Sequence, residues 1–195
     1  FTRDNNLWLQ DLNSHEERAL THDGEEHCRY AVAGNAWGFD HGTGTHASWS
    51  PDSSRVFTVQ RDCRQVLTFP IIAHVPADGS IRPTVTQDPM ALPGDEHVPE
   101  YRLLSIDIAS GRIQPANYRQ IPIVRNSFGF FASNMGWWGM DSRHAYFVDM
   151  ERDYRTVRVV ELDTDTGATR ILFEETANTH ISLMLNDDDL PTFEP

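Results

Sequence analysis

The chain has 195 residues, of which 29 are acidic and 16 basic, and its formal net charge is −13. Binding to nucleic acid or to an anionic membrane surface is not expected, because both need clustered cations to neutralise phosphate groups. All of the basic residues are arginines, which excludes chemistry that needs a lysine amine, such as a Schiff base. The length suits one domain or a part of a larger one.

The predicted elements are short β-strands, in which β-branched, aromatic and other apolar residues recur with turn signals between them. In chain order they are residues 7–9, 55–59, 101–106, 144–148 and 156–160. No segment carries the i, i+3, i+4, i+7 apolar spacing of an amphipathic helix over three turns. The chain is therefore predicted to be all-β.

Two short sequence units alternate along the chain. The first is a tryptophan followed after two residues by Asp-Ser, and it starts at Trp49 and at Trp138. The second is an aspartate with a short turn behind it, at Asp11, Asp107 and Asp163. A four-stranded propeller blade needs a turn between its first two strands and a hairpin between its last two, and the two units supply them.

The spacing of these units predicts a partial β-propeller. Asp107 and Asp163 are 56 residues apart, which is close to the propeller period of about 40–50 residues. We expect about two full four-stranded blades and part of a preceding blade. Because a closed propeller has about four to eight blades, residues 1–195 are expected to be a single segment of a larger propeller. The absence of a start methionine and of a signal peptide agrees with this expectation.

Residues 70–100 interrupt the repeat and contain six prolines. Proline cannot donate a backbone hydrogen bond, so this density excludes central strands. We predict a long, mostly extended excursion between the second and third strands of a blade, from near Leu67 to near Tyr101. Loops of this length are usually functional or serve as contact elements.

No catalytic residue is predicted in the chain. A Gly-x-Ser-x-Gly nucleophile elbow, which would mark a hydrolase nucleophile, is missing from the sequence. Cys28 and Cys63 allow at most one disulfide, and neither belongs to a catalytic signature. Two free structural thiols are the favoured interpretation, because a chain of this length can build a core without cross-links.

No metal ion and no cofactor are predicted either. Residues 41–46, with a histidine at each end, lack a phosphate-binding glycine pattern and a third metal ligand, which favours a solvated loop. Asp163 and Glu174 have the spacing of a calcium loop, but residues 168–173 favour a strand, so a β-hairpin is preferred. Residues 187–189, three consecutive aspartates, are interpreted as surface charges.

Residues 37–40, Trp-Gly-Phe-Asp, lie outside the repeat and precede Trp49 by about twelve residues. Trp37 and Phe39 beside Asp40 can form an aromatic wall with an anion, which suits an ammonium group. They also suit a loop whose aromatic side chains plug the propeller rim. Composition alone leaves both interpretations open.

Five stretches, in order along nearly the whole chain, resemble the N-terminal propeller domain of the dipeptidyl peptidase IV group of the prolyl oligopeptidase family. They are Asn-Asn-Leu-Trp-Leu at 5–9, Glu-Arg-Ala-Leu-Thr-His-Asp-Gly at 17–24, Ala-Trp-Gly-Phe-Asp-His-Gly at 36–42, Trp-Ser-Pro-Asp at 49–52 and Pro-Gly-Asp-Glu-His-Val-Pro at 93–99. The resemblance implies a serine exopeptidase whose α/β-hydrolase domain, with its Ser, Asp and His, is not in this chain. It implies that the propeller gates and positions peptide substrates without catalysing their hydrolysis.

The resemblance also implies where a peptide amine is held. The family grips it with an Asp-Trp-Val-Tyr-Glu-Glu-Glu stretch, which corresponds to residues 36–42. Trp37 matches, Phe39 replaces the tyrosine, Asp40 stands in place of a glutamate, and His41 stands where a second glutamate is expected. Trp37 and Asp40 are thus the expected substrate-binding residues. Because at least one carboxylate is missing, strict dipeptide release is not expected.

An alternative from another functional class is a stand-alone propeller module that binds protein or glycan partners. The family resemblance implies a periplasmic or secreted location, and the segment itself is not expected to contact a membrane. Cutting a propeller exposes sheet edges and faces that a further blade would cover. Self-association or a homodimer is therefore expected. The candidates for the exposed surface are Trp137 and Trp138 with Phe128, Phe130 and Phe131, and packing between the blades is the alternative for the same side chains.

Overall fold

The structure is a computed structural model and describes residues 1–32, 45–76, 79–122 and 135–181. Within these ranges every regular element is a β-strand, and all neighbouring strands are antiparallel. Three successive sheets and a separate two-stranded hairpin result. The prediction of an all-β partial propeller is confirmed. A helix long and apolar enough to cross a bilayer is not found in the described ranges.

The first sheet is the partial blade. It contains β1 (Thr2–Arg3), β2 (Asn6–Gln10) and β3 (Glu17–Ala19), in that order. The two-residue turn between β1 and β2 consists of Asp4 and Asn5, with φ of 51° and 64°. Positive φ at both central residues is the requirement of a type I′ hairpin turn, which Asp and Asn tolerate better than most residues.

The middle sheet is a four-stranded blade whose first and fourth strands are each interrupted. Its elements are β4 (Cys28–Tyr30), β5 (Ala47–Trp49), β6 (Arg55–Asp62), β9 (Glu100–Asp107), β10 (Ile113–Pro115) and β11 (Ile121–Pro122). β4 and β5 pair with opposite ends of the same edge of β6, and together they form the first strand. β10 and β11 share one edge of β9 in the same way and form the fourth strand.

The last sheet is a second four-stranded blade. Its strands are β12 (Gly136–Trp138), β13 (His144–Met150), β14 (Thr156–Asp163) and β15 (Thr169–Thr176), paired in chain order. A register shift between Val159 and Val160 interrupts the pairing of β14 with β15. The chain therefore contains the two full blades and the preceding partial blade that the repeats predict.

The three aspartate turns have one common geometry. The Asp11 side chain accepts hydrogen bonds from the backbone N–H groups of Asn13 and Ser14, and these bonds lower the pKa of its carboxyl group. In the hairpins of the other two sheets, Asp163 likewise accepts the N–H groups two and three residues later, and Asp107 accepts the N–H and the hydroxyl of Ser110. In each turn the residue four positions after the aspartate donates its N–H to the aspartate carbonyl and has positive φ. The predicted turns are confirmed.

The excursion lies between β6 and β9, the second and third strands of the middle blade, as predicted. It contains a separate hairpin of β7 (Thr68–Ala73) and β8 (Thr84–Pro89). Along an antiparallel ladder, pairs of residues that exchange hydrogen bonds alternate with pairs that do not. The Met90 N–H donates to the Leu67 carbonyl, so Leu67 and Met90 form a hydrogen-bonded pair, and the pairs of Thr68 with Pro89 and of Pro70 with Gln87 do not. Pro70 and Pro89 therefore occupy positions whose N–H would point away from the partner strand, where proline is tolerated.

The middle sheet is covered on both faces by its neighbours. One cluster of buried side chains joins it to the first sheet and contains Leu7, Leu20, Tyr30, Ala31, Val56, Leu104 and Ile106. Another joins it to the last sheet and contains Phe57, Val59, Tyr101, Leu103, Ile121, Ala145, Phe147, Val160 and Leu162. Successive residues of β6 and β9 contribute to alternate faces, as the two-residue period of a strand requires. Blades stacked in this way are the packing unit of a propeller.

The stacked sheets have two distinct ends. All three aspartate turns and the turns after Trp49 and Trp138 lie at the same end, which we call the turn end. The opposite end, which we call the loop end, carries the excursion and the β13–β14 turn. The first strands of neighbouring sheets also meet, because the Trp138 indole donates a hydrogen bond to the Ser48 carbonyl at 2.9 Å. The middle and last sheets therefore contact each other at their first strands and also near their fourth strands, where the Asn117 N–H donates to the Gly167 carbonyl at 2.7 Å.

The two cysteines are free and buried, as predicted. Cys28 lies opposite Asp62 in the β4–β6 ladder. Cys63 is the next residue after Asp62, and its N–H donates to the His27 carbonyl at 2.7 Å. Because successive side chains of a strand point to opposite faces, the two thiols lie on opposite faces of the sheet. Burial raises the pKa of both thiols, which makes them poor nucleophiles.

Candidate functional site

The first strand of the middle blade is interrupted at mid-height. β4 pairs with residues 60–62 of β6, at the loop end, and β5 pairs with residues 56–58, toward the turn end. Both run in the same direction along one edge of β6. β4 ends at Tyr30 and β5 begins at Ala47, so both described ends of the intervening segment lie at this edge of β6.

The two ends of the segment are joined by backbone hydrogen bonds. The Ala31 N–H donates to the Val59 carbonyl and the His46 N–H to the Ala31 carbonyl, both at 2.8 Å. Thr58 adds a side-chain bond, because its hydroxyl donates to the His46 carbonyl at 2.8 Å. We call these three bonds the clasp. The clasp holds the two described ends of the segment, Ala31 and His46, together at the edge of β6.

Ala31 marks the point at which the chain leaves the strand. It is fully buried and has a φ of 51°, in the left-handed region that residues with a Cβ atom seldom adopt. Such a conformation persists only where the surrounding contacts determine it, and strained residues of this kind cluster at binding and catalytic sites. The exit of the segment is therefore specified by its contacts.

The predicted binding residues Trp37 and Asp40 lie outside the described residues, as do Phe39, His41 and residues 187–189. The assignment of Trp37 and Asp40 therefore stays a prediction. What the structure adds is the position of the two ends of their segment, Ala31 and His46, which the clasp joins. His46 was expected in a solvated loop, and this is wrong, because its side chain is buried and its backbone belongs to the clasp.

The tryptophans on the first strands have different environments. Trp138 is half-buried between the middle and last sheets, where its ring meets the Phe57 ring edge-on at 6.2 Å. Trp137 points to the opposite face of the last sheet, stacks on Tyr146 at 5.8 Å and is 40% exposed. Of the candidates for exposed surface, Trp138 thus belongs to the interior between the blades and Trp137 is exposed, while Phe128, Phe130 and Phe131 lie outside the described residues.

A network of charged side chains joins the middle and last blades near the loop end. Asp149, whose side chain is fully buried, accepts hydrogen bonds from Tyr118 at 2.9 Å, from Arg119 at 2.7 and 2.8 Å and from Arg158 at 3.2 Å. Glu151 pairs with the same two arginines, at 3.0 and 2.7 Å. Burial, followed by the bond to Asp149, raises the pKa of Tyr118 to about 12.

This network was not predicted from the sequence. Tyr118 and Arg119 lie in the interruption between β10 and β11 and cross to the next sheet, about thirty residues along the chain from Asp149. One signal in the sequence could have found it: Asp149 follows Ala145 and Phe147 at two-residue spacing, which places an acid on the core face of β13. A buried acid in that register needs cationic or hydroxyl partners.

A polar groove of about 280 Å³ lies at the loop end, at the base of the excursion. Asp62 and Arg64 line it as an ion pair at 2.7 Å, and Glu96, His97 and Glu100 line it as well. Burial raises the pKa of the Glu100 carboxyl group above its ordinary value. The mixture of charges suits a small polar ligand and does not assemble a nucleophile with its base.

The suspected calcium loop is a hairpin, as predicted. The Asp163 carboxylate accepts the N–H groups of the β14–β15 turn, and Glu174 lies on β15, where it pairs with Arg158 at 2.5 Å. Neither side chain is free to converge on a common ion. In the ranges that the structure describes, no group of three or more His, Cys, Asp or Glu side chains is arranged to hold a metal.

Comparison with known proteins gives one family. A family profile described as the dipeptidyl peptidase IV (DPP IV) N-terminal region matches residues 1–192. The fold is similar to that of Porphyromonas gingivalis dipeptidyl peptidase 4, with 14% identity, a TM-score of 0.69, and coverage of 92% of this chain and 24% of that one. No curated protein sequence matches the chain.

A second solved structure is similar to the same extent. It is a protein from Bacteroides ovatus ATCC 8483 assigned as a dipeptidyl aminopeptidase IV, with 14% identity and a TM-score of 0.63. The alignment covers 92% of this chain and 25% of that one. At this identity the two likenesses concern the fold alone. The chain spans about a quarter of the length of both solved chains.

Proposed function

Because the chain belongs to the family of dipeptidyl peptidase IV N-terminal regions, we propose that it is the non-catalytic propeller part of a serine exopeptidase. In this role it gates access to a separate catalytic domain and positions the peptide whose bond is hydrolysed. The parent protein acts in the periplasm or outside the cell. Trp37 and Asp40 contact the free amino terminus of the peptide.

One observation carries this proposal. The segment that contains Trp37 and Asp40 is inserted into the first strand of the middle blade, and the clasp at residues 31 and 46 closes its ends. First strands lie where the sheets of a propeller converge around the central channel. A peptide inside that channel would meet a segment that leaves the first strand at mid-height, whereas the aspartate turns lie at the turn end of the blades.

The chemistry of the two residues suits a peptide amine. A carboxylate facing an ammonium group in a partly dry cavity forms a charge-assisted hydrogen bond worth about 1.5–3 kcal/mol. An indole face adds a cation–π attraction to the same group. Because one carboxylate grips less tightly than two, the parent enzyme accepts a broader range of substrates than one that releases only dipeptides.

The test compares a free amine with a blocked one. Binding of alanyl-proline and of its N-acetylated form to the purified chain is measured by titration calorimetry for the wild type and for Asp40→Asn. We expect the wild type to prefer the free amine about tenfold to hundredfold, since each 1.4 kcal/mol is a factor of ten. Asp40→Asn is expected to abolish this preference.

The matched control is Glu16→Gln, which changes the net charge by the same amount at an exposed position of the turn end. It is expected to keep the preference. Equal affinity of the wild type for both peptides would contradict the proposal and would favour a module for protein or glycan partners. The chain alone is expected to hydrolyse no alanyl-proline chromogenic substrate, since it has no nucleophile elbow.

A further inference from the structure

The polar groove at the loop end is formed by three parts of the middle blade. They are the end of β6 with the bend that follows it, the return arm of the excursion before β9, and the interruption between β10 and β11. The groove encloses about 280 Å³, which is enough for the end of one polar side chain or for a small molecule. Every residue that lines it belongs to the described ranges.

Glu100 is a carboxylate of the groove that lacks a partner. It lies directly opposite Asp62 in the β6–β9 ladder and is half-buried. Within the described ranges its side chain makes no hydrogen bond or ion pair, and Arg119, whose charge acts on it, is bonded to Asp149 and Glu151 instead. A carboxylate that is removed from water without a donor is costly, and a bound cation would compensate its charge.

Other acceptors in the groove are also uncommitted. The side chains of Glu96 and Gln120 line it, and neither makes a hydrogen bond in the part of the chain that the structure describes. The Asp62 carboxylate, in contrast, is occupied, because the Arg64 guanidinium donates two bonds to it, at 3.0 and 2.7 Å. The ion pair of Asp62 and Arg64 is neutral as a unit, so Glu96 and Glu100 give the groove its negative charge.

The walls of the groove already hold two guanidinium groups of the chain itself. Arg64 makes its two bonds to Asp62, and Arg152 from the β13–β14 turn donates to the backbone carbonyls of Asp95 and Glu96. The planar fork of N–H donors in a guanidinium group matches carboxylate and amide oxygens. A metal ion suits the groove less, since no group of three or more ligating side chains is arranged to hold one in the described ranges.

We propose that the groove binds a guanidinium group, which pairs with Glu100 and Glu96 and has the Gln120 side-chain carbonyl as a further acceptor. The group is carried by an arginine side chain of a peptide or by a free small molecule, because both offer the same chemistry to the groove. None of the three residues belongs to the segment 31–46, so the inference does not rest on the proposed function. It adds a second binding site to the chain.

The test compares two probes that differ in charge. N-acetylarginine methylamide carries the guanidinium group, and N-acetylcitrulline methylamide has a neutral urea group of nearly the same shape. Titration calorimetry on the full chain is expected to show that the arginine probe binds about tenfold more tightly, since charge-assisted hydrogen bonds are stronger than neutral ones. Equal affinity for the two probes would overturn the inference.

Glu100→Gln assigns the preference to the groove. The amide keeps the size of the side chain and removes its charge, so the arginine probe is expected to bind about tenfold more weakly and the citrulline probe as before. Glu16→Gln is the matched control, because it removes the same charge at an exposed position of the turn end. An equal loss of affinity in both variants would mean that the net charge of −13 attracts the probe, and it would overturn the inference.

Two further measurements separate binding from folding. Glu100→Gln is expected to unfold at the same urea concentration as the wild type or a higher one, because it removes a half-buried charge that has no partner. In the wild type, the backbone amide NMR signals of Val66 and Gln120 are expected to shift on titration with the arginine probe, and those of Asn13 and Ser14 at the turn end are not. Shifts confined to residues outside the groove would place the binding elsewhere and overturn the inference.

A longer probe identifies the source of the guanidinium group. An acetylated and amidated Gly-Arg-Gly peptide is compared with the arginine probe by calorimetry. Tighter binding of the peptide would assign the site to an arginine within a peptide, and equal binding would assign it to a free guanidinium compound. Both results support a guanidinium site, whereas binding of the single-residue probe but not of the peptide would overturn a peptide source.

Discussion

Replacement of Asp149 by asparagine tests whether the charged network holds the last two blades together. Asparagine keeps the shape of the side chain but replaces one acceptor oxygen with an amide donor, which then faces the donors Tyr118 and Arg119. Removal of one partner of a buried ion pair costs about 3–5 kcal/mol. Glu151 stays beside both arginines and compensates part of their charge, so we expect a loss of about 3 kcal/mol.

The assay is equilibrium unfolding in urea followed by tryptophan fluorescence. Glu161→Gln is the matched control, because Glu161 pairs with Arg170 at 2.8 Å on the surface of the last sheet, where the arginine is 70% exposed. Glu161 is 18% exposed, but solvent screens the charge of its arginine partner, so this pair contributes about 0–1 kcal/mol. A loss of less than about 1 kcal/mol in Asp149→Asn would refute the claim that the buried network couples the blades.

Three further outcomes are expected. His15 has a φ of 59° at the position where the two equivalent turns have glycine, so His15→Gly should raise the unfolding temperature by an amount corresponding to about 0.5–1 kcal/mol. Gly111→Ala should lower the unfolding temperature for the same reason. Unchanged unfolding temperatures would contradict the argument that a side chain is strained at this position. Because the pKa of Tyr118 is raised to about 12 in the folded protein, its contribution to the free energy of unfolding should be fully present below pH 10 and should be lost between pH 10 and 12. Urea unfolding repeated across that range should show a smaller loss in Tyr118→Phe than in the wild type. Trp137→Ser should weaken self-association, measured by sedimentation, because Trp137 is exposed on the outer face of the last sheet. A wild type that is monomeric at all micromolar concentrations would contradict self-association through this face.

The turns and strands of this chain could be predicted from the sequence because their chemistry is local. An aspartate that accepts the backbone N–H three residues later needs no distant partner, so Asp11, Asp107 and Asp163 predict the same hairpin at each position. Their spacing, together with Trp49 and Trp138, also predicts the blade order. The family could be recognised for the same reason, since its motifs are short and continuous.

The candidate site was predicted only in its residue types. Trp37 and Asp40 follow from a resemblance, but the sequence contains no sign that their segment interrupts a strand. That interruption exists because β6 is long enough to pair with β4 and β5 at different heights, and these strands are separated by sixteen residues. The same long-range pairing buries His46, whose glycine-rich surroundings predict a solvated loop.

The tertiary structure alone decided which distant groups meet. Tyr118 and Arg119 reach Asp149 only because the fourth strand of one blade is interrupted beside the second strand of the next. Likewise, residues 68–73 and 84–89 form a hairpin despite their prolines, because the pairing register places Pro70 and Pro89 where no N–H is required. Register and blade stacking are set by burial summed over whole sheets, and no local window of sequence contains that sum.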